Sequence, residues 1–386
     1  MRTLRSLPSE DLSDWELLMA FLPEGWEDLG RQSGALRRTR GFPDAESLLR
    51  TLLLYLVEGR SLKETALRVK QADLASVSSV AIWKRLKRSG EWFRLMNESM
   101  LVSWHRRESL DGLLPGRRLR LVDGTTVCEP GKTGSSWRIH YAVEFSTLRC
   151  DCVGIFDKLS GETFKRFDVE AGDVLVGDRV YANRPGIAYV LSRGGDVVVR
   201  LPYSNVPLTN KKGAPIKLLR HLRKLRTQQV GEWSWFIPPD TRGAKPVPVR
   251  VCAVKKSAAA TELARKKMNR KAQKNGTYTP SPGALEAAGY FFVLTTLPKE
   301  VVPAEHVVEL YRGRWQIELV FKRLKSILGL GHLPKQEPDG ARAWLQGKLF
   351  VATLVETLIA AGDTFSPWGY PLRVAEEPME RDRLHV

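Results

Sequence analysis

The chain has little of what stapled or metal-bound small folds are built from. Its four cysteines, at 128, 150, 152 and 252, form no Cys-x-x-Cys pair and have no histidine at zinc-finger spacing. Neither a disulfide framework nor a zinc site is expected. Cys150 and Cys152 share a strand-like segment, where alternation puts both sulfurs on one face as ordinary reduced thiols. Only six histidines are present. His140 lies in a strand-like run and His332 follows a helix-like one, neither with a companion at ligand spacing. A phosphate loop is missing as well, because the pattern that would end in Gly131-Lys132-Thr133 needs glycine at 126, and Thr126 stands there. Apolar runs are short: none approaches the roughly 20 residues of a membrane span. The longest, around residues 349–361, contains Glu356. The N-terminus is basic but lacks the apolar core of a secretory signal. A cytosolic protein with no membrane partner is expected, and no internal repeat is present.

Acids, too, are outnumbered. Lys and Arg total 61 against 43 Asp and Glu, a net charge of +18 with a pI near 9.8. The excess is uneven: residues 203–280 hold 18 Lys and Arg against 3 Asp and Glu, a net of +15. Such a balance is the electrostatic footprint of a nucleic-acid partner.

Along the chain the grammar changes several times. Residues 1–112 read as a helical N-terminal domain. Pro8–Trp15 gives a capped start, Asp44–Leu56 has apolar residues at helical spacing, and Ser61-Leu-Lys-Glu64 is a capping box opening a helix to about Gln71. After a polar break, Ser79–Phe93 reads as a second helix carrying Lys84, Arg85, Lys87 and Arg88. Two short helices with a basic second member fit a helix-turn-helix, and equally a plain helical hairpin. DNA contact through Lys84, Arg85 and Arg88 is expected. Pro115-Gly116 marks a boundary. Residues 113–202 then give strand-like segments at 118–122, 137–145, 149–156, 162–169 and 173–177, a helix near 183–192 and a strand at 196–201. That order predicts a mixed sheet in an α/β or α+β domain. Within the basic segment 203–282, residues 230–237 and 247–255 read as a strand pair. Residues 255–274 read as a basic helix or arm bearing Lys266, Lys267, Arg270 and Lys271. Residues 283–346 bring a strand at 290–297 and a helix at 311–325; residues 347–386 read as a C-terminal helical tail without a motif.

The 311–325 segment is the most informative. It has no proline, and at about 100° per residue Tyr311, Arg314, Glu318 and Lys325 fall within roughly 60° of one another around a helix. Ile317, Val320, Phe321, Leu324 and Leu328 supply an apolar stripe for the core. A solvated, ion-paired helix face would look similar. A carboxylate ringed by cations also suits an acid that holds a metal beside a phosphate backbone.

The spacing Tyr-x2-Arg-x3-Glu-x6-Lys resembles the signature around the last acid of the DDE insertion-sequence transposases, and all four positions match. Upstream, Asp123-Gly124-Thr125, at the end of an apolar run, resembles the first acidic motif of that family. Asp178-Arg179-Val180-Tyr181, after a short apolar strand, resembles the second. The resemblance spans about residues 55–335. It implies a ribonuclease-H-like catalytic core interrupted by a basic β-rich insertion. Asp123, Asp178 and Glu318 become the catalytic acids and the ligands of two Mg²⁺ ions, with Mn²⁺ as a substitute. Tyr311, Arg314 and Lys325 become a grip on the DNA strand end, and Trp315 either a stacking residue or a core aromatic. It further implies a homodimer moving its element by a cut-and-paste route. An inactive relative that only binds terminal repeats and a stand-alone nuclease of the same fold are the other readings.

Overall fold

The computed structural model describes residues 14–37, 41–105, 114, 116–130, 136–157, 159–204, 206–239, 245–275, 279–335 and 337–362. The expected capped start at Pro8 and the chain beyond residue 362 lie outside these residues. Helices α1 (Asp14–Met19), α2 (Trp26–Gln32), α3 (Ala45–Glu58), α4 (Leu62–Gln71) and α5 (Ser79–His105) come first. Strands β1 (Arg118–Cys128), β2 (Ser136–Glu144), β3 (Cys150–Asp157) and β4 (Asp173–Gly177) follow. Next are α6 (Arg184–Ser192), β5 (Asp196–Arg200), α7 (Leu218–Leu222), β6 (Val230–Ile237) and β7 (Val247–Lys255). The chain continues through α8 (Ala258–Asn275), α9 (Pro282–Ala287), β8 (Tyr290–Thr295), α10 (Ala304–Arg312), α11 (Trp315–Ser326) and α12 (Pro338–Gly362). These elements fall into two compact units: α1–α5 with the chain from Leu324 onward, and the sheet-bearing stretch from β1 to Arg323.

In the helical unit, local chemistry sets the helix starts. Asp44 accepts the Ser47 N–H at 2.7 Å ahead of α3, and Ser61 and Glu64 form the full capping box ahead of α4. Each such cap contributes about 1 kcal/mol by satisfying backbone donors that the helix leaves open. Helix α5 runs to His105, well past the expected Phe93, because its apolar residues have a long partner. Gly90 of α5 lets α12 approach so closely that a Cβ there would stand 3.0 Å from the Ala343 Cα. Phe93 and Phe350 stack at 5.6 Å, and Trp26 and Trp92 at 5.8 Å. Residues 347–362 are therefore part of a helical bundle with the N-terminal helices. By length and composition Pro338–Ala360 could cross a membrane, a property that short-run inspection of the sequence misses, but two thirds of its apolar window is buried within the unit. Arg85 departs from expectation. It is buried, with its guanidinium 5.8 Å from the Phe42 ring, so it packs inside the helical bundle and is not one of the solvent-facing cations of α5. Lys84 and Arg88 are exposed.

The second unit holds one sheet of eight strands in the order β3-β2-β1-β4-β5-β8-β7-β6. β1, β4 and β5 are parallel; β2 runs antiparallel beside β1, and β3 antiparallel beside β2. This half has the ribonuclease-H-like order. β6 and β7 were expected as an inserted pair; they extend the same sheet, because β7 pairs with β8 and β8 with β5. The run 162–169 is not a strand. Phe164, Phe167 and Val169 are buried, but the three-residue step from Phe164 to Phe167 follows a 3-10 turn at Phe164–Arg166 and not a strand. In β3 a bulge leaves Asp151 opposite no residue of β2, breaking the alternation assumed for Cys150 and Cys152. All four cysteines are free thiols.

That bulged Asp151 meets Arg120, a β1 side chain that is 1% exposed as a residue. Arg120 donates to both Asp151 oxygens at 2.6 and 2.9 Å, to Asp173 at 2.8 Å and to the Asp168 carbonyl at 2.5 Å. Arg118 donates to Asp173 at 2.7 and 2.9 Å. Burial pushes the Asp173 carboxyl up, but these two guanidiniums and the Glu170 N–H outweigh it, and the net shift is downward. Removing one member of such a buried pair strands a charge and costs about 3–5 kcal/mol. Arg120→Met is therefore expected to lower the thermal midpoint, read by near-UV circular dichroism, by roughly 10 °C. A change no larger than the about 1 kcal/mol of an exposed pair would contradict this.

Candidate active site

Strands β1 and β4 pair in parallel from Arg118↔Asp173 to Leu121↔Val176. Asp123 lies just past the last pair on β1, and Asp178 follows the end of β4, so both carboxylates emerge at the same end of neighbouring strands. Such C-terminal ends of parallel strands are where open α/β sheets place their ligands. Asp123 does not end its strand as expected; β1 continues to Cys128 alongside β2. Its Oδ1 accepts the Gly124 N–H at 2.8 Å. Asp178 caps a 3-10 turn, accepting the Val180 N–H at 2.8 Å.

The expected single helix over 311–325 is broken. α10 stops at Arg312 and α11 begins at Trp315. Gly313 sits in the break pressed on Phe145, where a Cβ would lie 2.3 Å from the ring. Tyr311 thus closes α10, nearly buried, with its ring 5.5 Å from Phe291. Arg314 occupies the corner. It donates to Asp123 Oδ2 at 3.3 Å and to Glu318, and its guanidinium carbon is 5.9 Å from the Tyr311 ring centre. The break therefore gathers Tyr311, Arg314 and Glu318 by a route other than a shared helix face. The Glu318 side chain is 61% exposed. Lys325 is exposed in the last turn of α11. Trp315 is 53% exposed, so the core-aromatic reading fails.

Charge around Asp123 is poorly balanced. Burial, with Asp178 and Glu162 nearby, raises its carboxyl to about 6 against the pull of the Gly124 N–H and Arg314. Among the described residues no three His, Cys, Asp or Glu side chains are gathered closely enough to cage an ion. Arg314 instead joins Asp123 to Glu318. The donor set is nonetheless all carboxylate oxygen, which suits a hard divalent cation. A carboxyl held up by burial and by like charges is one that added positive charge would stabilise.

Several neighbours were not foreseen. Arg200 ends β5 with its guanidinium carbon 4.3 Å over the Phe291 ring. Burial, then Arg179 and Arg314, lower it to about 10. Lys256 is lowered to about 8 by burial, then by Arg200 and Arg179, and donates to the Ala288 carbonyl at 2.8 Å. An arginine closing the valine run 197–199, on a strand parallel to β4, was the available signal for the first of these. Beside Asp178 lies an open cleft of about 1000 Å³, lined in part by Arg179, Asn183, Arg184, Tyr203 and Met268. The four cations of α8, Lys266, Lys267, Arg270 and Lys271, are all exposed.

A ribonuclease-H-like sheet carrying aspartates where its two central parallel strands stop pairing, with a later-helix glutamate linked to one of them through Arg314, fits the architecture of a DDE-type DNA-processing enzyme. Comparison with known proteins agrees. Residues 156–354 match the family model described as the transposase DDE domain. The chain is 32% identical over 360 residues to the transposase for insertion sequence element IS421 of Escherichia coli, covering 92% of this chain and 96% of that protein. It is 37% identical over 98 residues to the transposase for insertion sequence element IS231F of Bacillus thuringiensis subsp. israelensis, covering 25% and 20% of the two chains. The chain belongs to the DDE transposases of insertion sequences, enzymes that act on DNA.

The state of Asp123 gives a pH test. Its native value near 6 exceeds the ordinary 3.8, so the folded protein holds this proton more tightly than the unfolded chain. Stability from this group is full below about pH 4 and is lost as pH rises through 6. In chelator-treated protein, Asp123→Asn should therefore raise stability at pH 7.5 by on the order of 2–3 kcal/mol and bring no gain at pH 4. Equal or lower melting temperatures for the variant at pH 7.5 would contradict this.

Proposed function

We propose that the protein moves its own insertion sequence by a cut-and-paste route, nicking the element ends hydrolytically and then joining them to target DNA through the freed 3′-hydroxyl. The observation that carries this reading is the convergence of Asp123, Asp178 and the Arg314–Glu318 pair at one end of β1 and β4. Asp123, Asp178 and Glu318 would hold two Mg²⁺ ions, or Mn²⁺ in their place, which when bound supply charge relief at the scissile phosphate. The attacking groups are water and then a DNA hydroxyl, so no protein nucleophile is needed. Arg314 offers a planar fork that can turn from the carboxylates to a phosphate. Tyr311 backs that fork, Arg200 and Lys256 add positive charge behind it, and exposed Trp315 offers a face for a base to stack on. Lys325 supplies a point charge farther along α11. The exposed cations of α8 would contact phosphates without reading sequence. Coordinated cutting of two element ends calls for a homodimer on paired double-stranded ends, working in the cytoplasm where that DNA is.

Binding and Mg²⁺-dependent nicking, measured side by side on DNA carrying the element's terminal repeats, test the reading. Asp123→Asn, Asp178→Asn and Glu318→Gln should each cut nicking by several orders of magnitude. Their DNA affinity should hold or rise, because a negative charge facing the phosphates has gone. Any one of these variants nicking at the wild-type rate would remove that acid from the site.

Sequence recognition is assigned to the helical unit, through the exposed Lys84 and Arg88 of α5. Replacing both with alanine should weaken binding to terminal repeats and reduce the slope of log K against log salt by about 2. The same change at buried Arg85 should act on stability. An unaltered salt slope for the double variant would take α5 out of the interface.

A further inference from the structure

The open cleft beside Asp178 is lined quite differently from the acid site. Its volume of about 1000 Å³ is at the upper end of the range for ligand pockets, about 300–1,000 Å³. Its place on the sheet follows from neighbouring side chains. Arg200 stands over the Phe291 ring, and that ring contacts Tyr311 of α10. Leu201 and Phe292, the next residues along each segment, line the cleft. Adjacent residues of extended chain point to opposite sides of a sheet. The cleft therefore lies on the face away from α10, while Arg179 brings one of its walls next to Asp178.

The lining has two characters. Leu201, Ile237 and Phe292 are buried apolar side chains, and Tyr203 adds a ring that is 36% exposed. That ring is held in place from below: a Cβ on Gly283 would stand 2.5 Å from the Tyr203 hydroxyl. The charged members are Arg179 and Arg184, and none of the described lining residues is acidic. Met268 of α8 forms part of another wall, with Lys267 and Lys271 exposed beside it. At about 100° per residue these two lysines stand roughly 100° and 60° from Met268, on the same side of the helix. Apolar and aromatic surface edged by cations, with no carboxylate, is the make-up of a groove in which bases stack and phosphates are tracked. The space admits a few nucleotides and not a duplex, so a nucleic-acid occupant has to be unpaired.

We propose that this cleft receives the unpaired DNA strand flanking the cut, leading it from Asp178 past Tyr203 toward α8. This rests on the reading of Asp123, Asp178 and Glu318 as the cutting site. Arg179 takes a phosphate next to Asp178, and Tyr203 offers the ring on which a base stacks. The strand leaves on the sheet face opposite the one that carries Tyr311.

Fluorescence anisotropy of the full-length protein with DNA in the presence of a chelator tests this without cleavage. Two probes are compared: a blunt terminal-repeat duplex, and the same duplex with a short unpaired extension on either strand. The extension should tighten wild-type binding by about fivefold or more. Tyr203→Ala should remove most of that gain and Tyr203→Phe should keep it, with blunt-duplex affinity and thermal midpoint unchanged in both. A photoreactive base in the extension should crosslink to cleft residues, identified by mass spectrometry. The proposal is overturned if neither extension tightens binding, if Tyr203→Ala weakens both probes equally, or if crosslinks are confined to Trp315 of α11. Nicking by the acid variants is a separate readout. Should Asp123→Asn, Asp178→Asn and Glu318→Gln all nick at the wild-type rate while the Tyr203 effect holds, the cutting-site reading falls and the cleft stands as a single-strand site.

Discussion

Everything at the acid end of the sheet depends on the register between β1 and β4, and an ion pair fixes that register at the opposite end. Arg118 and Asp173 are direct partners across the two strands and are hydrogen-bonded to each other. Asp123 and Asp178 stand five residues farther along the same two strands, in the same offset. A slip of one residue would separate Arg118 from Asp173, bury an unpaired carboxylate and turn one aspartate to the wrong face. Arg120, holding Asp173 together with the bulged Asp151, ties β3 to the same arrangement. Asp123 and Asp178 lie near one another at one end of these strands, whereas Asp173, five residues before Asp178, is tightly paired with Arg118 and Arg120.

Much of this architecture is legible in the sequence. The caps at Asp44 and Ser61, the strands β1, β2, β4 and β5, and the strand pair β6–β7 follow from short-range pattern and turn chemistry. The motif spacing that points to Asp123, Asp178 and Glu318 is a property of the whole constellation that local propensity does not contain. What the sequence hides is set by distant partners. The break at 313 is marked locally only by the glycine itself; the Phe145 ring pressed against it comes from far away in the sequence. The apolar run 162–169 reads as a strand, but the chain there makes a 3-10 turn that buries Phe164 and Phe167. Arg85 reads as one of four cations on a basic helix, and only packing against Phe42 shows that it faces inward.

The positive charge of the chain is of two kinds. On α8 and on the outer face of α5 it is solvated and dispersed, suited to long-range attraction that salt weakens. Around Arg200 and Lys256 it is half-buried, and burial first, then neighbouring cations, depress the proton affinity of both groups. Dispersed charge draws a polyanion in, whereas crowded cations gain most when a phosphate settles among them.

The position of β8 has a consequence for synthesis. β5 can join β4 once about half the chain has left the ribosome, but its other neighbour is β8, which begins at Tyr290. Until then β5 is an open edge, rich in valine and able to pair with any extended segment it meets. The β6–β7 hairpin emerges first and has no place in the sheet before β8 arrives between it and β5. A nascent chain stalled between residues 200 and 290 therefore exposes an adhesive strand, and such fragments should be the species that aggregate.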